Sequence, residues 1–253
     1  MKFVQITDLH IVPPGARLHD LNPADRLASC VADVNRHRED VEFCVFTGDL
    51  ADRGEREAYD VLREILEDLA IPHHLMLGNH DARAPFLDAF PEAPRDGNGF
   101  VQFQLETDEG SFIFLDTLDE GNRTGLCCDK RRGWLSERLR DSGSRPVYLF
   151  MHHPPFDIGI PSMDNIKLDG IDTFARVVQE STNIRHLFFG HVHRPVSGSW
   201  HGIPFSALPS TNHQIGPDFV NVSPMPYTRG PAAYAIVHLD DDQVVVHTKF
   251  VDE

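Results

Sequence analysis

Five short apolar runs in this chain each stop at a cluster of carboxylate, imidazole or amide side chains. "KFVQI" runs into TDLH, with Asp8 and His10, and "VEFCVF" into TGDLADRG, with Asp49. "HHLML" leads to GNHD, with Asn79, His80 and Asp81. "PVYLFM" leads to HHPP, with His152 and His153, and "IRHLFF" to GHVH, with His191 and His193. Runs of this length, rich in β-branched and aromatic residues, read as buried strands. One such cluster alone is ordinary turn chemistry. Five at consecutive strand exits call for a fold that gathers strand ends in one place, and they point to a metal site. At three exits a glycine (Gly48, Gly78, Gly190) directly precedes the polar group, as a tight backbone approach requires.

Between the runs the period becomes helical. Leu27, Val31 and Val34 follow Asn22 and Pro23, a cap and a first-turn proline, and predict a helix to about Arg38. Tyr59, Leu62, Ile65, Leu66 and Leu69 predict another over Glu55–Ala70. Leu135 and Leu139 mark a third, and 172–180 reads as a fourth. "GFVQFQL" and "SFIFLDT" flank an ETDEG turn, and "AAYAIVHLDDDQVVVHTKF" reads as a hairpin. Strand–helix alternation followed by hairpins predicts an α/β fold with mixed sheets and outer helices, its ligands beyond the carboxyl ends of the strands. The 253 residues show no repeat and no linker composition, so a single domain over 1–253 is expected. Within it the proline-rich stretch of 214–253 is expected to form a lid or a dimerisation segment.

A formal net charge of −16 argues against a partner such as a nucleic-acid polymer or an anionic membrane, since both need a basic surface. No apolar stretch approaches the length of a bilayer span, and the first residues lack the pattern of a secretory signal, so a soluble, cytoplasmic protein is expected. Cys30, Cys44, Cys127 and Cys128 form no C-x-x-C pair, and disulfides are not expected in that compartment. Eight of the 15 histidines, His19 among them, have no motif context.

Asp8 to His193 resembles the calcineurin-like metallophosphoesterase signature, D-x-H, G-D, G-N-H-[DE], H and G-H-x-H, with no ligand position missing. HHPP and the later TNHQ (Thr211–Gln214) are most similar to bacterial class III cyclic-nucleotide phosphodiesterases and glycerophosphodiesterases. The resemblance implies a β-sandwich flanked by helices and a dinuclear centre. Asp8, His10, Asp49 and His193 would hold one ion, and Asn79, His152 and His191 the other, with Asp49 bridging. Such mixed oxygen and imidazole donors suit two divalent or trivalent transition-metal ions: Mn, Fe, Zn or Co. Ions roughly 3.5–4 Å apart would activate a bridging hydroxide in line with phosphorus.

The resemblance also implies roles around the metals. His80 would be catalytic, contacting a phosphoryl oxygen or assisting the leaving group. By analogy with the protein phosphatase run G-D-x-V-D-R-G, Asp52 would orient His80, while Arg53 reads as a surface ion pair. Asp81 is either a turn residue or part of the layer behind the ligands, and His153 is structural or in that same layer. His213 is expected to approach substrate from a loop, and "FDIGIPSMDNIKLDG", with Ile160 and Met163, to border the pocket. The implied activity is hydrolysis of a small phosphodiester of cyclic-nucleotide or glycerophosphodiester type, with homo-oligomers favoured. Rivals are a phosphomonoesterase or nucleotide pyrophosphatase on the same site. A non-catalytic member that keeps the fold, as a retromer subunit does, predicts eroded ligands, and here none is eroded.

Overall fold

Each of the five runs contains a strand in the computed structural model, which describes residues 1–251. The first half runs β1 (Lys2–Ile6), α1 (Pro23–Arg36), β2 (Cys44–Thr47), α2 (Arg56–Glu67), β3 (His73–Met76), α3 (Arg83–Ala89), β4 (Phe103–Thr107) and β5 (Gly110–Leu115). It continues through β6 (Gly125–Leu126), α4 (Asp129–Asp141), β7 (Val147–Met151), α5 (Pro161–Asp164), β8 (Leu168–Asp169), α6 (Ile171–Gln179) and β9 (Ile184–Phe189). The remaining strands are β10 (Val196–Trp200), β11 (Ile203–Ala207), β12 (Gln214–Ile215), β13 (Tyr227–Thr228), β14 (Ala232–Leu239) and β15 (Val244–Val251).

Two mixed sheets result, one ordered β15-β14-β1-β2-β3 and the other β10-β11-β9-β7-β5-β4. Within the first, β1, β2 and β3 are parallel, and within the second, β5, β7, β9 and β11 are parallel, so their carboxyl ends emerge together. Side-chain alternation then decides the layers. On β1, Phe3 points between the sheets, while Val4 and Ile6 face the helices. Phe3 meets Phe112, Phe150 and Phe188 of the opposite sheet at ring-centroid distances of 5.4–5.7 Å. Leu27 and Val31 of α1, Leu62 of α2 and Phe86 of α3 cover the outer face of the first sheet. Leu135 of α4 and Phe174 of α6 cover that of the second. The expected β-sandwich flanked by helices is therefore the observed architecture. Burial on both faces explains why its central strands read as unbroken apolar runs.

Asn22 caps α1 as expected, its side chain accepting from Ala24 N at 3.2 Å. Arg26, Asp33 and Tyr234 tie that helix to the C-terminal hairpin, with the Tyr234 hydroxyl donating to Asp33 Oδ2 at 2.7 Å and Lys249 pairing with the same oxygen. Strand β14 pairs antiparallel with β1 and β15 forms the sheet edge. The second half of 214–253 is thus built into the sheet rather than serving as a lid, because β14 is the hydrogen-bonding neighbour that β1 requires. Ile215, Met225 and Tyr227, from the part through Thr228, line a cavity at the strand ends. All four cysteines are free thiols, and Cys30, Cys44 and Cys127 are buried. No helix among the described residues is long and apolar enough to cross a membrane.

Candidate metal centre

Beyond β1, β2 and β9 the backbone turns sharply inward. Asp8, His10, Asp49, His191 and His193 all adopt positive φ, between 49° and 70°. Non-glycine residues take that conformation at a cost of order 1–3 kcal/mol each, and five clustered cases mark a site rather than a set of ordinary turns. At the end of β3 the loops touch: a Cβ on Gly78 would stand 2.2 Å from Asp49 Oδ1, so only glycine lets the Asn79 loop lie against the Asp49 loop.

The ligand atoms of Asp8, His10, Asp49 and His193 all lie within 4.8 Å of one another. His10 Nε2 faces His193 Nε2 at 3.0 Å, and His193 Nε2 is 3.5 Å from Asp8 Oδ1. Asp49 Oδ2 is 3.7 Å from His10 Nε2 on one side and 3.3 Å from His152 Nε2 on the other. A single carboxylate oxygen thus stands between the two halves of the expected ligand set. On the His152 side, Asn79 Oδ1, His152 Nε2 and His191 Nε2 are buried atoms with no hydrogen-bond partner among the described residues. Buried polar atoms are rarely left unpaired. Three together, beside a shared carboxylate, fit a cation-binding cavity.

Two opposite ring nitrogens are held by oxygen atoms, which fixes their tautomers. His152 Nδ1 donates to Thr47 O at 2.8 Å and His193 Nδ1 to His213 O at 2.9 Å. Both hydrogen bonds leave Nε2 for a metal, the usual outer arrangement around ligating imidazoles. His10 Nδ1 lies 3.3 Å from Asp52 Oδ1, close enough for an ion pair. Charge follows geometry. Burial opposes ionisation of Asp49, yet His152, His80 and His10 hold its carboxyl well below the usual carboxylate range. Burial likewise opposes charge on His152, but Asp49 and Asp8 raise it to about 9. Burial lowers His193 to about 4. The carboxylates are thus ready to ligate, while His152 holds a proton that a bound cation would displace.

The remaining expected residues fall around this centre. His80 is about one-third exposed, with its N–H donating to Asp49 Oδ1 at 2.9 Å and its Nδ1 donating to the main-chain carbonyl of Asp52 at 2.7 Å. The Asp52 carboxylate is nearer His10 than His80, 3.3 Å against 3.9 Å, so Asp52 holds His80 through its backbone and not by the expected side-chain contact. Asp81 is fully engaged, accepting from Leu50 N, Ala51 N, Gly78 N and the Tyr59 hydroxyl at 2.8–3.1 Å. Burial and the charge of Asp49 raise its pKa to about 6 against those donors. It ties the Asp49 loop to the Asn79 loop. Arg53 is a surface residue, its Nε 3.6 Å from Asp52 Oδ2.

His153 accepts from the Thr117 hydroxyl at Nδ1 (2.8 Å) and donates from Nε2 to Arg123 O (3.2 Å), so neither nitrogen is free to ligate. His213 lines the cavity next to His10 and His193, at ring distances of 4.9 and 4.5 Å. Met163 lines it too, whereas Ile160 packs into the core beneath. Sequence reading missed two wall residues. His19, without motif context, stacks on Tyr227 with centroids 4.5 Å apart, and Arg123 also lines the cavity. Both lie on loops without periodicity, where only the tertiary structure brings them to the strand ends. Ile166 and Met225 line it from the two segments expected to border or cover the pocket.

The calcineurin-like phosphoesterase family model matches residues 1–195. A probable cyclic nucleotide phosphodiesterase of Rhodopseudomonas palustris is 42% identical over 250 residues, 98% of this chain and 91% of that protein. A glycerophosphodiester phosphodiesterase of Enterobacter lignolyticus is 30% identical over 221 residues, covering 85% of this chain and 79% of that one. Among solved structures, a dimetal phosphatase from Danio rerio superposes over 100% of this chain and 96% of its own with a TM-score of 0.74, at 17% identity. That likeness shows the fold. From the family match and the 42% identical relative, the chain belongs to the calcineurin-like phosphoesterase family.

Proposed function

We propose that the protein is a dinuclear metal-dependent phosphodiesterase acting on small phosphodiesters of the cyclic-nucleotide or glycerophosphodiester kind. The observation that carries this reading is the position of Asp49 Oδ2 between His10 Nε2 and His152 Nε2, with the unpaired Asn79 Oδ1 and His191 Nε2 nearby. Asp8, His10, Asp49 and His193 would hold one ion, and Asp49, Asn79, His152 and His191 the second. Bound there, two transition-metal ions supply Lewis acidity toward the phosphoryl oxygens and activate water near neutral pH.

The chain's own residues do the rest. Asp81 fixes the relation between the loops that carry Asp49 and Asn79. The Asp52 carbonyl holds His80 by Nδ1, which leaves Nε2 turned toward the cavity. Protonated at Nε2, His80 would donate to a phosphoryl oxygen or to the departing alkoxide. His213 lines the cavity beside His10 and His193, from where it would contact the substrate. The named relatives at 42% and 30% identity support a diester as substrate.

The test is hydrolysis by metal-stripped protein reconstituted with Mn, on bis-p-nitrophenyl phosphate, the matching monoester, cAMP and glycerophosphocholine. Diester turnover that a chelator abolishes is the expected result, and the two natural substrates then divide the class. Turnover of the monoester alone would keep the metal site and overturn the substrate. Inactivity with every metal would favour a binding role.

A further inference from the structure

The cavity over the strand ends contains a single lysine or arginine among its lining residues, Arg123. Its guanidinium makes no hydrogen bond or ion pair among the described residues, although the chain carries 39 acidic residues against 23 basic ones. The acids nearest in sequence are already engaged: Asp119 accepts from Asn122 Nδ2 at 2.7 Å, and Glu120 pairs with Arg83 at 3.2 Å. While its side chain is unpaired, its backbone is pinned. Buried His153 donates from Nε2 to Arg123 O at 3.2 Å, and Leu126 N donates to Thr117 O at 3.0 Å. A Cβ on Gly125 would stand 2.4 Å from His153 Cγ, so the loop lies flat on that ring by virtue of its glycine. The same ring packs against His191 with centroids 4.6 Å apart. The second histidine of HHPP thus couples the Arg123 loop to the metal centre.

We propose that Arg123, an exposed residue of the cavity lining, is a substrate-binding residue that holds an anionic phosphate oxygen from the rim. Its partner is the phosphoryl group common to the diester substrate and the phosphomonoester product, with inorganic phosphate as a probe of the same contact. A guanidinium offers paired N–H donors matched to two phosphate oxygens, and an unpaired one on a fixed loop is already positioned to use them. This role rests on the phosphoester reading of the cavity and adds to it a residue outside the ligand set.

The test compares full-length, Mn-loaded wild type with Arg123→Gln and Arg123→Lys. For Arg123→Gln, KM for bis-p-nitrophenyl phosphate should rise about tenfold with kcat within about twofold, as loss of one charge-assisted contact predicts. The calorimetric dissociation constant for inorganic phosphate should rise in step, Arg123→Lys should recover part of both, and melting temperature should not change. Unchanged KM and phosphate affinity in Arg123→Gln would overturn the assignment. So would a fall in kcat at constant KM, which marks a disturbed site rather than a lost anion contact. Phosphate binding does not need turnover, so the two readings separate. A wild type that binds phosphate through Arg123 but cleaves no diester would sink the substrate class alone. Diester cleavage indifferent to Arg123 would sink this inference alone.

Discussion

Asn79 shows how a single polar atom carries the metal reading. Its Oδ1 is buried and unpaired, an arrangement that destabilises a protein unless something charged completes it. Asn79→Ala and His191→Ala are therefore expected to reduce turnover on the order of 100-fold or more, while the metal-free variants melt within roughly 2 °C of metal-free wild type. Assays of Mn-reconstituted variants beside thermal scans check this, and surviving turnover would mean the ligands are wrongly assigned. The candidate ligands were legible in sequence because each sits at a strand end behind a recognisable turn. Asp81 was ambiguous there, since its four donors come from Leu50, Ala51, Tyr59 and Gly78 and no local pattern announces them. Tyr59 was concealed in another way. It belongs to the apolar stripe of α2 by position and to the site by its hydroxyl.

At the scale of elements, the apolar period identified α1, α2 and the central strands to within a few residues. The short elements escaped it, α3 and the β10–β11 hairpin among them. Helix α3 spans seven residues, too short to display a period. The β10–β11 hairpin turns through His201 and Gly202, both at positive φ (50° and 82°), as a two-residue hairpin loop requires. Histidine stands where asparagine or aspartate would have signalled the turn. The link between α1 and the C-terminal hairpin makes a pH prediction. Burial disfavours the Asp33 carboxylate, but Lys249, Tyr234 and Arg36 together hold its pKa down to about 2. A depressed carboxylate stabilises the fold above its unfolded value near 4, and that contribution disappears as pH falls through about 2. Asp33→Asn should lower the melting temperature at pH 7 by roughly 3–6 °C, with the gap closing below about pH 3. A gap of constant size across pH 2–7 would count against the ionic account.

The whole molecule is two sheets joined face to face by aromatic rings: Phe150 meets Phe3 of the opposite sheet at 5.6 Å and stacks within its own sheet on Phe188 and Phe114 at 4.6 and 4.9 Å. Phe150→Ala removes a ring from that layer and should cost about 3–5 kcal/mol in denaturant unfolding. A cost under about 1 kcal/mol would show that the layer collapses around the gap. Metal removal acts at the same scale. Ligands that bind only the folded state stabilise it by about 2.7 kcal/mol at a hundredfold excess over Kd. Chelation should therefore lower the melting temperature by roughly 5–10 °C, and Mn should restore it. An unchanged scan would mean that no ion is bound tightly.

The division of the donors between the sheets has its own consequence. Asp8, His10, Asp49 and Asn79 follow strands of one sheet, and His152, His191 and His193 follow strands of the other. Neither sheet alone owns a complete set for either ion. Occupancy of the proposed centre would thus report that the two layers have docked in register. A nascent chain or a clipped fragment holding one layer could capture an ion only loosely, so an ion held there would double as a certificate of assembly.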